Sequence, residues 1–280
     1  MPLNVKDGGS WRAASKVYAK VAGTWVTTKE LWGYMSGGWR SGWKNEIRYI
    51  NTADRTGADI HALMGWPSQP SNYIFENNAT ISAGGGTFAL RTGTFPAGST
   101  LTIINRGYIR GRGGSAGGHK YPSEAGGIAL YLDFPCTLDN GAGYIFGGGG
   151  GGAWHERTYH GTQGPHSWGW GVAGGGGGAG SNAGGGSGSA GSTYVSVWAH
   201  GAGGSIAGGG AGGQIRHQDG GMAYGGVGGG PGAGGGQGSG AFYSAIYGTP
   251  GAAGAAIAVN GRGINIVAGN NANQIKGYIA

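Results

Sequence analysis

The chain has 280 residues, of which 73 are glycine and only 10% are charged. Its formal net charge is +7. An ordinary globular domain has about 7% glycine and about 25% charged residues, so this composition is unusual for one. Disordered chains contain few aromatic residues, but here aromatic residues make up 11% of the chain. The single cysteine, Cys136, excludes an internal disulfide, and no apolar run resembles a signal peptide or a membrane-spanning helix. We therefore expect an ordered glycine-rich protein with no membrane insertion.

The first 43 residues repeat with a period of 14, which places Trp11, Trp25 and Trp39 at equivalent positions. Fourteen residues rich in Gly, Thr, Val and aromatics fit one short β-hairpin. A lone hairpin is marginally stable, so the copies must stack on one another or on another chain. A small β-meander with a Trp core and a docking module both remain open. The residues assigned to docking are Trp11, Tyr18, Trp25, Trp32, Trp39 and Trp43.

Residues 44–70 are interpreted as a connector, and residues 71–146 as a region of short β-strands. The connector tolerates a helix from Thr56 to Met64. Within the strand region, residues 99–114 and 135–150 echo each other, and both run from a strand through Asn and Gly into a glycine tract. Residues 257–269 form a third, looser copy. Strands that lead repeatedly into glycine tracts indicate a built architecture.

Residues 147–280 form the expected glycine-rich domain, whose tracts lack the Gly-X-Y period of collagen. Extended left-handed helices with three residues per turn have no internal hydrogen bonds, but packed side by side they can pair their main chains. A Cβ at the contact would hold them apart, so the interior must be glycine. The predicted fold is mostly β and irregular, with little or no helix and a sandwich of polyglycine II helices. A flexible glycine-rich linker is the alternative.

Side chains with binding chemistry interrupt the glycine tracts, and the richest interruption lies in residues 153–170. Loops held by a rigid scaffold commonly carry recognition, and aromatic side chains offer large contact areas at small rotamer cost. We expect these interruptions to lie at one end of the domain. The candidate binding residues are Trp154, His155, Arg157, Tyr159, His160, His166, Trp168, Trp170, Tyr194, Trp198, His200, Arg216, His217, Tyr224, Phe242, Tyr243 and Tyr247.

Three other chemistries are weaker. His155, His160 and His166 lack the compact spacing of a zinc site, so no metal or cofactor is expected. The segment "RGYIRGRGG" resembles an RGG nucleic-acid motif, but few positive charges follow it and no basic groove is expected. His166 next to Ser167 is not a triad, and the sparse carboxylates form no acid–base pair. We expect neither nucleic-acid binding nor an enzyme.

The segments "LTIINRGYIRGRGGSAGG", "GGIALYLDFPCTLDNGAGYIFGGGGGG" and "IAVNGRGINIVAGNNANQIKGYIA" resemble bacteriophage tail-tip receptor-recognition proteins, above all the glycine-rich distal adhesins of T-even-like long tail fibres. The resemblance covers roughly residues 72–280. It implies a virion protein made in the host cytoplasm, without enzymatic activity, whose loops on a polyglycine II scaffold bind a bacterial surface protein or polysaccharide. The N-terminal repeats are similar to those of phage tail and baseplate proteins but differ from the T-even attachment domain. They imply docking on another tail protein, and a homotrimer stays open. A structural cap or spacer without receptor contact is the alternative function.

Overall fold

The structure is a computed structural model with 28 β-strands and one short α-helix in the part of the chain that it describes. The described residues are 4–7, 10–13, 17–28, 30–35, 38–44, 46–117, 121–160, 168–180, 189–190, 195–205, 207–217, 222–240 and 245–280. This agrees with the predicted β and irregular fold class. No helix in these ranges has the length and hydropathy needed to span a bilayer.

Three antiparallel hairpins open the chain, as the 14-residue repeat predicts. Trp11 lies opposite Lys6 in the first, and Trp25 lies opposite Lys20 at the equivalent place in the second. The strands are β1 Asn4–Asp7, β2 Ser10–Ala13, β3 Tyr18–Val21, β4 Thr24–Thr27, β5 Glu30–Met35 and β6 Gly38–Lys44.

A parallel β-solenoid follows, in which each turn of the chain adds one strand to each of three parallel sheets. The first sheet contains β7 Glu46–Asn51, β10 Asn72–Asn77, β13 Thr100–Asn105, β16 Cys136–Asp139 and β27 Ile264–Ala268. The second contains β8 Arg55–Thr56, β11 Thr80–Ser82, β14 Tyr108–Arg110, β17 Tyr144–Phe146 and β28 Ile275–Lys276. The third contains β9 Ala58–Asp59, β12 Phe88–Arg91, β15 Ile128–Tyr131 and β26 Ile257–Ala258. The helix α1, Ile60–Leu63, links the first turn to the second.

The solenoid interior is filled by apolar side chains that lie in register from turn to turn. Phe75 pairs with Ile103 and Ile103 with Leu138, and all three are fully buried. At the corner between the first two sheets, four buried asparagines form a ladder of side-chain amides. Its hydrogen bonds join Asn51 to Asn77 at 2.9 Å, Asn77 to Asn105 at 2.9 Å, and Asn105 to Asn140 at 2.8 Å. The asparagine that recurs after each predicted strand is therefore an interior residue.

The solenoid changes three of the sequence expectations. The presumed connector, residues 44–70, contains the complete first turn, and its helix is limited to four residues. Residues 257–280 do not continue the glycine-rich domain, because β26, β27 and β28 pair with the solenoid. The first two echoes are neighbouring turns, with Ile109 opposite Ile145, but the residue opposite Ile145 in the next turn is Ile275. The third echo, residues 257–269, therefore begins one strand too early, because the strands equivalent to those of the first two echoes are β27 and β28.

Glycine tracts leave the solenoid between its second and third sheets, at residues 111–127 and 147–256. The central tract, residues 147–154, hydrogen-bonds through its main chain to six neighbouring tracts, over distances of 2.7 to 3.1 Å. Residues three apart donate to the same neighbour: 148 and 151 to tract 124–127, 149 and 152 to tract 176–179, and 150 and 153 to tract 233–236. Their carbonyls accept with the same period from tracts 114–117, 226–232 and 248–254. We call this assembly the glycine lattice.

The glycine positions inside the lattice have no room for a side chain. A Cβ at Gly149 would lie 2.1 Å from the carbonyl oxygen of Gly229, and one at Gly176 would lie 2.0 Å from that of Gly210. Only glycine allows the main chains to approach this closely, as the sequence argument requires. Gly230 lies at the margin, and a Cβ there would meet no atom within 4 Å.

Candidate functional site

The lattice tracts run alternately away from the solenoid and back towards it. The turn at residues 230–233 lies beside the solenoid, because the Gly232 amide donates to the Gly147 carbonyl and the Gly147 amide donates to the Lys276 carbonyl. The tract that begins at Gly147 ends at Trp154, where β-strands replace the lattice. We call this opposite side the far end.

Two antiparallel four-stranded sheets lie at the far end, built from segments that the sequence separates widely. Their strands are β18 His155–His160, β19 Trp168–Ala173, β20 Ser189–Ala190, β21 Val195–Ala199, β22 Gln214–His217, β23 Met222–Tyr224, β24 Ser239–Gly240 and β25 Ala245–Tyr247. One far-end sheet has the strand order β20-β19-β18-β25, and the other has the order β21-β22-β23-β24.

Strand pairing brings several candidate residues together. Trp168 lies opposite His160 in the β18–β19 hairpin, and Arg157 lies opposite Ala245 of the distant β25. Tyr247 lies opposite His155, although 92 positions separate them in the sequence. The interruptions of the glycine tracts therefore meet at one end of the lattice, as strands of shared sheets rather than as separate loops.

Two candidate residues are interior, contrary to the sequence expectation. Trp154 is 8% exposed and packs against the main chain, since a Cβ at Gly248 would lie 2.4 Å from its Cδ1 and Nε1. His155 is 1% exposed, and its Nδ1 lies 2.9 Å from the carbonyl oxygen of Ser239. Both side chains close the end of the lattice, where the tracts diverge and leave space that glycine cannot fill. Both side chains are packed between the lattice and the far-end strands and are not part of the outer surface of the far end.

The remaining candidates are distributed as follows. His200, Arg216 and Tyr224 are exposed. The main chain places Arg157, Tyr159, His160, Trp168, Trp170, Trp198, His217 and Tyr247 on far-end strands. His166, Tyr194, Phe242 and Tyr243 lie outside the described residues. Of the docking candidates, Tyr18 is 52% exposed on its hairpin, and Trp11, Trp25, Trp32, Trp39 and Trp43 lie on hairpin strands.

Tyr121 is a far-end residue that the sequence argument missed. Its side chain is 75% exposed, and its carbonyl oxygen would lie 3.1 Å from a Cβ at Gly117, as the Trp154 ring also would at 2.9 Å. It is the only Phe, Trp or Tyr in residues 111–127. That isolated position is the signal that could have identified it.

The alternative chemistries find little support in the side-chain contacts. Arg106 pairs with Glu76 at 3.1 Å and Arg112 with Glu124 at 2.9 Å, so the RGG-like segment does not offer three free cations for phosphates. Burial raises the pKa of the Cys136 thiol to about 12, which makes it a poor nucleophile at neutral pH. Within the described ranges, no three His, Cys, Asp or Glu side chains are grouped as metal ligands.

Comparisons with known proteins give two matches. The family model of the phage tail fibre adhesin Gp38 matches residues 45–280. Among solved structures, the gp37–gp38 adhesin tip complex of the bacteriophage S16 long tail fibre is similar at a TM-score of 0.54 and 22% identity, over 85% of this chain and 84% of that one. This structural likeness concerns the fold. No curated protein sequence gives a significant match.

Proposed function

The chain belongs to the phage tail fibre adhesin Gp38 family, and from this we propose that its far end recognises a receptor on the surface of a host bacterium. The proposed role is attachment without catalysis. The protein would be made in the host cytoplasm and carried on the virion tail.

The observation that carries the proposal is the convergence of the tract interruptions on one end of the lattice. The three-residue period of main-chain hydrogen bonds is that of a polyglycine II helix, and we assign the tracts to this conformation. Such a scaffold is held on six sides and resists bending. Side chains mounted on it lose little freedom on binding, which lowers the entropic cost of recognition.

The far-end residues suit either a protein or a glycan receptor. Tyr224 and Tyr121 are exposed, and Arg216 supplies a charged donor in the same region. Trp168 and Trp170 both lie on β19, two positions apart. Aromatic and Arg residues dominate binding energy in known interfaces, and each commonly contributes about 2 kcal/mol or more.

We assign attachment to the virion to the N-terminal hairpins. These hairpins precede the region matched by the family model, which begins at residue 45. Tyr18 and Val21 are 52% and 57% exposed on the second hairpin and offer apolar surface to a partner. The similar S16 structure contains gp38 in complex with the fibre protein gp37. A tail fibre protein is accordingly the partner that we propose for this chain.

Two sets of full-length variants test the proposal. Replacing Trp168 and Trp170 together by Ala should lower binding of the purified protein to host cells at least about tenfold, with an unchanged melting transition. Replacing Trp11 and Trp25 by Ala should leave cell binding intact but prevent incorporation into phage tails. The exposed Trp66, in the turn that follows α1, serves as the matched control.

The structural spacer hypothesis makes a different prediction. If the wild-type protein does not bind host cells, or if the Trp168/Trp170 variant binds them normally, recognition by the far end is contradicted.

A further inference from the structure

A column of aromatic rings runs up the outer face of the second solenoid sheet. Tyr108 and Tyr144 occupy matching positions on neighbouring turns and stack with ring centroids 5.0 Å apart and planes inclined by 13°. The Phe146 ring lies 5.8 Å from Tyr144 on the same turn. All three side chains point outward, because the residue between the last two, Ile145, is fully buried.

The column stops at Tyr144 although the sheet continues for one more turn. Because Ile145 pairs with Ile275, the next position of the column belongs to Gln274. The Gln274 side chain turns away: its Nε2 donates to the carbonyl oxygens of Asn140 and Gly141, each at 2.9 Å. The Tyr144 ring therefore has Tyr108 on one face, and no described aromatic side chain stacks on the other. Its exposed fraction is 37%.

Two cations lie against the other two rings of the column. The Lys276 ammonium lies 4.9 Å from the centroid of Phe146, and the Arg110 guanidinium lies 4.1 Å from that of Tyr108. In the described part of the chain neither cation forms an ion pair. The nearby carboxylate of Glu76 is engaged by Arg48 and Arg106.

We propose that Tyr144, Phe146 and Lys276 form a binding site for an acidic sugar residue of a bacterial surface glycan. The flat C–H face of a pyranose would continue the ring column on Tyr144, in the place left open by Gln274. The phosphate or carboxylate of the sugar would lie against Lys276, where its charge is complementary. This site is on the solenoid, apart from the far end, and it rests on the proposed function only in placing the protein at a bacterial surface.

The chemistry favours a glycan over a nucleic acid. A nucleic-acid chain needs a continuous row of cations. Lys276 and Arg110 do not make such a row by themselves, because the other arginines of this region, Arg106 and Arg112, are already paired with carboxylates. One open ring with one adjacent ammonium fits one charged sugar unit.

Titration of the full-length protein with the phosphorylated core oligosaccharide released from host lipopolysaccharide tests the site. Tyr144→Ala and Lys276→Gln should each weaken binding about tenfold, and Tyr144→Phe should bind within about twofold of wild type because it keeps the ring. Removing the phosphates from the oligosaccharide should weaken wild-type binding and abolish the difference made by Lys276→Gln. A uronic-acid capsule fragment in a parallel titration distinguishes carboxylate from phosphate as the preferred acid.

Matched controls exclude a general charge or surface effect. Arg262→Gln removes one exposed cation, and Trp66→Ala removes one exposed aromatic ring, both away from Tyr144. Binding to neither acidic glycan, equal losses in Arg262→Gln and Lys276→Gln, or tighter binding of a short oligonucleotide would overturn the proposal. If the glycan site fails this test but cell adsorption still requires Trp168 and Trp170, the proposed function of the far end is unaffected. Failure of the glycan site and failure of the far-end function are therefore distinguishable.

Discussion

The solenoid and the glycine lattice solve the problem of a buried interior in opposite ways. The solenoid buries large apolar side chains such as Phe75, Leu101 and Ile103, whose removal from water drives folding at about 25 cal/mol per Å². The lattice buries mostly main chain, together with a few methyl groups such as those of Ala153 and Ala179, and its amides and carbonyls are satisfied by neighbouring tracts. Its cohesion comes from the many hydrogen bonds that glycine permits, against the larger entropy cost of ordering glycine.

This comparison implies opposite sensitivities to mutation. In the solenoid the harmful change is to remove atoms, because a cavity is left among packed side chains. In the lattice the harmful change is to add atoms, because a neighbouring carbonyl occupies the place of any new Cβ. The following predictions test this difference, beginning with the largest effect.

Adding atoms at Gly176 should prevent the lattice from forming. A Cβ there would lie 2.0 Å from the Gly210 carbonyl oxygen, and main chain on every side leaves no way to relax. Gly176→Val should cost more than about 5 kcal/mol, which exceeds the stability of many domains. Chemical denaturation measures the loss. Gly230→Val is the control, with no atom within 4 Å of its Cβ. If Gly176→Val were as stable as this control and as wild type, the tracts would be a flexible linker.

Removing atoms should be costly at the lattice end, where a side chain does fill space. Trp154→Ala should destabilise the protein by about 3–5 kcal/mol, because the buried indole supports the tract ends at Gly117 and Gly248. Leu130→Ala in the solenoid should cost about 2–5 kcal/mol for the same reason. Thermal unfolding of both variants beside Trp66→Ala checks this. If the Trp154→Ala protein were as stable as wild type but no longer adsorbed to cells, Trp154 would be a residue of the recognition surface and not a support of the tract ends.

Breaking the asparagine ladder should have an intermediate effect. Asn77→Ala leaves the buried Nδ2 of Asn51 without its acceptor and the buried Oδ1 of Asn105 without its donor, at a cost of about 1–3 kcal/mol. The exposed Asn265, on the last turn of the same sheet, provides a control that should change stability by less than about 0.5 kcal/mol. Equal denaturation midpoints for the two variants would mean that the ladder does not stabilise the solenoid.

The smallest expected effect is electrostatic. The hydrogen bond from Arg112 lowers the pKa of Glu124 below its ordinary value of 4.5, with a further contribution from Ser115. A depressed folded-state pKa stabilises the protein at pH values above 4.5, and this contribution disappears as the pH falls through the folded-state pKa. Glu124→Gln should therefore be less stable than wild type at pH 7, and the difference should vanish at pH values below the folded-state pKa. A stability difference that is independent of pH would contradict this.

Local sequence patterns predicted the parts of the fold that local chemistry determines. The 14-residue spacing of Trp11 and Trp25 identified the hairpins, and the close packing of glycine tracts followed from the absence of a Cβ. The recurrent Asn and Ile positions, such as Asn105 and Ile109, revealed a repeat of strands but not its solenoid form. Turns of unequal length, together with the 110-residue excursion between Phe146 and Ile257, hide the period that would have identified the solenoid.

The candidate site was predicted in position but not in detail. The aromatic content of the sequence predicts both Trp154 and Trp168 as binding residues, but Trp154 is buried in the structure. Whether an aromatic residue caps a tract or faces solvent depends on which tracts end beside it, and those tracts are distant in sequence. The sequence does not predict the exposed positions of Tyr121 and Tyr144, because the surroundings of each ring are set by residues of another turn or tract that is distant in the sequence.

Amide hydrogen exchange tests most directly the claim that the glycine lattice is a rigid scaffold. The amides of residues 148–153, which donate to three different tracts, should be protected as strongly as those of Leu130 in the solenoid core. The exposed turn at Gly261 provides a rapidly exchanging reference within the same protein. Protection of the central tract at the level of the solenoid is the result that we predict. Exchange of residues 148–153 as fast as that of Gly261 would contradict a lattice held together by its main chain.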